Sequence, residues 1–245
     1  MINLNGKRAL VCGGTSGIGE AAAEALRECG AHVVILSRSA SGKDSISCDL
    51  EDLDLLTDLI KKEIASNGSF EILINNSGGP PSGPLIDAKP SDFEKAFLRH
   101  VLASQTLVQL LLPGMQSSDY GRIINIISTS VKEPIPGLGV SNTIRGAMAS
   151  WSKTLSKELP PSVTINNVLP GFTNTDRLNE LKKTLSEQRG ISQDEVENGW
   201  LSTVPEGRLA EPSELGKVVA FLSSPAASFV RGTSIPVDGG RTGSI

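Results

Sequence analysis

Short runs of four to six mostly apolar residues alternate along this chain with longer stretches of helical period, the pattern that builds a parallel sheet covered by helices on both faces. Seven runs read as strands, at residues 9–12, 32–36, 45–48, 70–74, 122–127, 163–168 and 233–237, most of them rich in Val or Ile as buried parallel strands are. The gaps read as helices. Residues 17–29 set Ile18, Ala22, Ala25, Leu26 and Cys29 on one face, and 50–65, 92–112, 141–159 and 212–223 carry similar stripes. The expected architecture is α/β: a doubly wound (Rossmann) seven-stranded parallel sheet, helices on both faces, in a single domain over residues 1–245.

One stretch interrupts the alternation. Residues 172–208 are polar, follow a strand at its carboxyl end and exceed an ordinary strand-to-helix connection, so they read as a substrate lid with helical pieces at 178–188 and 193–201.

Charge narrows the partners. A net charge of −4 with 20% charged residues argues against a nucleic-acid surface or a polybasic membrane face, and no apolar run approaches the ~20 residues that span a bilayer. An anionic ligand therefore needs a local positive site. The cysteines, Cys12, Cys29 and Cys48, are three in number and without metal-ligand spacing, which excludes a disulfide framework, gives no metal site and fits a reduced, cytoplasmic protein. The first residues are too short and polar a segment to read as a secretory leader.

The first strand runs into Gly13-Gly14-Thr15-Ser16-Gly17-Ile18-Gly19 and then a helix. Glycine there lets backbone N–H groups and the helix N-terminus approach a pyrophosphate. About twenty residues further on, where an acid would hold the ribose 2′-hydroxyl of NAD, stand Ser37 and Arg38. A guanidinium pairs with a 2′-phosphate, so NADP(H) is expected over NAD(H).

With Cys48-Asp49-Leu50, Asn75-Asn76-Ser77-Gly78, the strand ending at Ser128, the turn Pro170-Gly171-Phe172-Thr173-Asn174-Thr175, and the later Gly207-Arg208 and Asp238-Gly239-Gly240 segments, the chain resembles the short-chain dehydrogenase/reductase family nearly end to end. In overall look it is most similar to the 3-oxoacyl-carrier-protein reductases. The resemblance implies an aspartate, Asp49, beside the adenine. It also implies cofactor support from Leu50, Asn76, Ser77 and Gly78, and a turn of Pro170, Gly171, Thr173 and Thr175 flanking the nicotinamide carboxamide. It implies hydride transfer with a small-molecule carbonyl or alcohol, and a dimer or tetramer built on the two long helices.

The family's Tyr-x-x-x-Lys is absent. Its positions hold Ser141 and Arg145, the chain's single tyrosine, Tyr120, precedes the serine strand, and the family's helix asparagine is replaced by His100. A serine hydroxyl is far too weak an acid to replace a phenol, and arginine stays charged. The expected catalytic set is therefore Ser128, Ser141, Arg145 and His100. His100, with an ordinary pKa near ~6.5, is the expected proton donor and Lys132 the alternative, while His32 reads as structural. Two rival readings stay open: an NADP-binding sensor, scaffold or partner subunit without turnover, and a lyase or epimerase that uses the cofactor structurally.

Overall fold

The computed structural model describes residues 2–244. All seven expected strands form: β1 (Arg8–Cys12), β2 (His32–Ser37), β3 (Ser45–Ser47), β4 (Ile72–Asn75), β5 (Gly121–Ile126), β6 (Val163–Pro170) and β7 (Ser234–Val237). They lie parallel in one sheet, in the order β3-β2-β1-β4-β5-β6-β7. Strand order reverses between β1 and β4, which opens a crevice at the carboxyl ends of those strands.

Eight helices cover the faces: α1 (Gly17–Glu28), α2 (Leu53–Asn67), α3 (Pro90–Phe97), α4 (Ala103–Ser117), α5 (Gly139–Glu158), α6 (Asp176–Arg189), α7 (Gln193–Leu201) and α8 (Pro212–Leu222). Alternate strand residues point to opposite sides. Leu10, Leu73, Ile123 and Ile165 meet Leu56, Leu107 and Leu111 of α2 and α4, while Val11, Ile74, Ile124 and Val168 meet Ala22 and Leu26 of α1 and Val219 of α8. Helices α1 and α8 approach so closely that a Cβ on Gly216 would lie 2.4 Å from the Ala21 carbonyl oxygen.

Three of the differences from the sequence expectation concern α2, β4 and the segment before α4. The helix expected over 50–65 starts at Leu53, because Asp52 caps it by accepting from the Leu55 amide at 3.0 Å. The strand expected over 70–74 runs from Ile72 to Asn75, so Asn75 belongs to the sheet. The single helix expected over 92–112 is two, α3 and α4, joined by a π turn at Leu98–Leu102. An apolar stripe does not reveal one extra residue in a turn, yet such turns recur at functional sites.

The 172–208 stretch contains α6 and α7. Thr175 caps α6 by accepting from the Leu178 amide, Gly190 ends it in the left-handed conformation, and Ser192 with Glu195 forms a capping box on α7.

Candidate active site

A groove of about 550 Å3 opens at the carboxyl ends of β1, β2, β4, β5 and β6. The glycine turn forms one wall. Gly13 and Gly17 take φ of +60° and +56°, and a Cβ on Gly19 would lie 2.1 Å from the Gly13 carbonyl oxygen, so the turn closes only with glycine there. Asn76 Nδ2 donates to the carbonyl oxygens of Cys12 and Gly13 at 3.3 and 3.2 Å, clipping the end of β4 to this turn. Thr15, Ser16, Gly17 and Ile18 face the groove, while Gly19 lies buried behind them and supports the close approach.

At the end of β2, Ser37 and Arg38 line the groove without a carboxylate between them. The Arg38 side chain is 74% exposed and lies 3.9 Å from Asp49, free to turn toward an anion. Asp49, Leu50 and Cys48 complete this end. Four arginines line the groove, Arg38, Arg99, Arg145 and Arg177, which supplies the local positive charge that an acidic protein needs for an anionic ligand.

Arg99 and Arg177 were not expected. Arg99 sits on the π turn and pairs with Glu51; Arg177, in the first turn of α6, donates to the Pro80 carbonyl oxygen at 3.3 Å and ties the 172–208 segment to the proline-rich wall after β4. Charged residues on helices read as solvated surface in the sequence, and only these long-range contacts give them another place.

Ser128 follows β5 on the groove wall; its Oγ accepts from the Ser130 amide at 3.1 Å and keeps its O–H to donate. Arg145, on α5, is buried and lines the groove from below. It donates through Nη1 to the Ile126 carbonyl oxygen at 2.8 Å and through Nη2 to that of Ser77 at 3.5 Å. Burial lowers its pKa to about 10, which leaves it charged at neutral pH. Asn76, Ser77, Gly78, Pro170, Gly171 and Thr175 also line the groove, as expected.

Three expected residues sit elsewhere. Thr173 is buried, bridges to Ala210 and donates to the Gly171 carbonyl oxygen, so it shapes the turn from behind. Ser141 is half-buried in the first turn of α5, outside the groove lining. His100 is 4% exposed and lies beneath the floor, its Nδ1 2.7 Å from Ser77 Oγ.

This corrects the expectation that His100 titrates near neutrality. Burial, then the guanidiniums of Arg145 and Arg99, push its pKa well below 6.5. The imidazole is neutral at pH 7 and holds no proton to donate as an imidazolium there. Because the native pKa is depressed, the unfolded chain binds a proton that the folded one refuses as pH falls below ~6.5, so stability drops on acidification. Removing that titration in His100→Gln is expected to flatten the loss as pH falls below ~6.5. Urea unfolding across that range measures it, and equal slopes for the two proteins contradict the burial argument.

A family model described as Enoyl-(Acyl carrier protein) reductase matches residues 13–242. A 3-oxoacyl-[acyl-carrier-protein] reductase of Haemophilus influenzae is 33% identical, over 97% of this chain and 98% of its own. The chain belongs to the short-chain dehydrogenase/reductase family. The NADPH-dependent reductase BacG of Bacillus subtilis is 27% identical over 98% of this chain and 99% of its own. Among solved structures, an L-sorbose reductase of Gluconobacter frateurii complexed with NADPH and L-sorbose superposes with a TM-score of 0.91, 25% identity and coverage of 100% of this chain and 99% of that one.

The one tyrosine of this short-chain dehydrogenase/reductase lies away from the groove. Tyr120 precedes β5, at the end opposite the groove, with its hydroxyl donating to the Ser223 carbonyl oxygen on the α8 side. Six residues of strand separate it from the groove end, roughly 20 Å at ~3.3 Å per residue. Among the described residues, the groove lining holds no tyrosine, histidine or lysine; Lys132 is half-buried outside it.

Proposed function

We propose that this chain is an NADP(H)-dependent oxidoreductase that moves hydride between the nicotinamide and a small carbonyl or alcohol, similar to the 3-oxoacyl-carrier-protein reductases, through a site with non-standard proton chemistry. The carrying observation is the groove end where β2 finishes in Ser37 and an exposed Arg38 with no acid, beside a turn whose glycines leave room only for backbone. The backbone amides of the turn and the N-terminus of α1 suit a pyrophosphate, and Arg38 suits a 2′-phosphate. The relatives named for NADPH support the same cofactor.

When bound, the nicotinamide supplies or accepts the hydride. Ser128 O–H donates a hydrogen bond to the substrate oxygen, the buried charge of Arg145 stabilises the negative charge that grows there, and water in the groove delivers the proton that completes the alcohol or takes it up in the reverse direction. Ser141 takes the place of the family's acid at the start of α5 without its acidity. Residues 172–208 act as the lid, with Arg177 on Pro80 as its latch.

A second reading, an NADP-binding sensor, scaffold or partner subunit, draws on the buried His100 and on a groove without a phenol. A panel of carbonyls with NADPH and of alcohols with NADP, followed by the absorbance of the reduced nicotinamide, separates the two. Substrate-dependent turnover supports the enzyme, and tight NADPH binding with no turnover across the panel supports the second reading.

The protein is also proposed to be a cytoplasmic homo-oligomer. No helix among the described residues is long and apolar enough to cross a membrane. Of the apolar residues on α4, α5 and the π turn before α4, Leu107, Leu111 and Met148 fill this chain's own core, while Leu102 is 39% exposed and Leu110 and Trp151 only partly covered. A dimer or tetramer through that face is the expected result of light scattering at micromolar concentration, and a monomer contradicts it.

A further inference from the structure

Four side chains from separate parts of the sequence form a row at the carboxyl ends of β5, β6 and β7. Trp200, on α7, stacks on Phe172 in the turn after β6, with ring centroids 5.1 Å apart and planes 15° from parallel. The Arg241 guanidinium, from the segment after β7, lies over the same Phe172 ring, 4.9 Å from its centroid. Its Nη1 donates to Thr129 Oγ1 at 3.4 Å. Thr129 is 1% exposed and directly follows Ser128.

The Thr129 end of the row is built into the serine's own turn. Ser128 caps the short turn Thr129–Val131 through its Oγ, so a shift of Thr129 moves the anchor of that hydroxyl. The segment after β7 is a firm mount for Arg241. Asp238 accepts from the Gly240 and Thr242 amides at 3.1 and 2.8 Å, and a Cβ on Gly171 would lie 2.7 Å from Asp238 Cα. Glu133 accepts from the Gly243 and Ser244 amides at 2.7 and 3.0 Å, which ties the far end of the Ser128 loop to the same segment. Arg241 Nε is buried with no hydrogen-bond partner among the described residues. Leaving that donor unpaired carries a desolvation penalty, so the ring and the threonine are the contacts that orient the guanidinium.

We infer that Arg241 is a positioning residue that couples helix α7 to the Ser128 loop through Phe172 and Thr129. The cation is drawn to the ring face, and the ring holds Trp200 by stacking. A displaced α7 therefore weakens the seat of Arg241, and a displaced Arg241 takes a donor from Thr129. Such coupling is reciprocal, so what loosens one end loosens the other. The row stands on this chain's own contacts, whereas its consequence for hydride transfer rests on the proposed oxidoreductase reading.

Amide hydrogen exchange of the full chain, with no ligand added, tests the coupling. Arg241→Gln is expected to speed exchange about two- to fivefold both at residues 129–133 and on α7, the range that a cation over a ring supplies. Trp200→Ala is expected to speed exchange at 129–133 in the same way. Arg241→Lys keeps a cation for the ring but loses the guanidinium fork, so α7 is expected to recover while 129–133 stays loosened. Glu133→Gln weakens only the hold on residues 243–244 and is expected to leave α7 unchanged. Changes confined to the substituted end, or an α7 loosened as much by Glu133→Gln as by Arg241→Gln, overturn the inference. With a substrate that turns over, Arg241→Gln is expected to lower kcat about tenfold and to keep NADPH affinity within about twofold; an unchanged kcat overturns the positioning role. Should no substrate turn over, the oxidoreductase reading fails while hydrogen exchange still decides the coupling.

Discussion

Giving the chain back a phenol and an ammonium, Ser141→Tyr together with Arg145→Lys, is expected to raise carbonyl reduction with NADPH by about 10²-fold or more, since a positioned general acid contributes ~10²–10⁴-fold. The two positions lie one helical turn apart on α5, so the side chains face the same way. Lysine at 145 keeps the buried charge and can donate to the carbonyl oxygen of Ile126 or Ser77, though it loses the two-pronged grip of the guanidinium. Ser141→Tyr alone keeps a neighbouring cation in Arg145, which also lowers a phenol's pKa, so it is expected to recover part of that gain. Turnover measured at saturating NADPH decides it. A double variant that folds and binds NADPH but is no faster than the unmodified chain contradicts the view that proton donation is what this site lacks.

The second large effect is on cofactor choice. Arg38→Ala is expected to remove about 1.5 kcal/mol of NADP(H) affinity, roughly tenfold, and to leave NAD(H) nearly unchanged. This is the low end for a hydrogen bond to a charged group, because the side chain is 74% exposed and shares its charge with Asp49 at 3.9 Å. The preference is expected to shrink as salt is raised. Equal losses for both cofactors in a titration contradict the assignment of Arg38 to a 2′-phosphate.

The sheet was legible because runs such as Val33 to Leu36 and Ile72 to Ile74 are buried on both faces and carry no helical period. The glycine turn and Arg38 were legible because their chemistry depends on neighbours in the chain. The floor of the site was not. The stripe across 92–112 conceals the π turn that carries Arg99 and His100, and burial is a property of what packs against a residue, so the ordinary pKa assigned to His100 was wrong in its surroundings. The asparagines show the same limit. Asn75, Asn125 and Asn167 are polar residues in apolar strands, and only the register between strands turns them into one hydrogen-bonded row.

Calorimetric titration of the unmodified chain with NADPH and, in parallel, NADH tests the central claim most directly. One NADPH per chain, bound at least about tenfold more tightly than NADH, is the expected result. No binding of either dinucleotide, or equal affinity for both, contradicts the account.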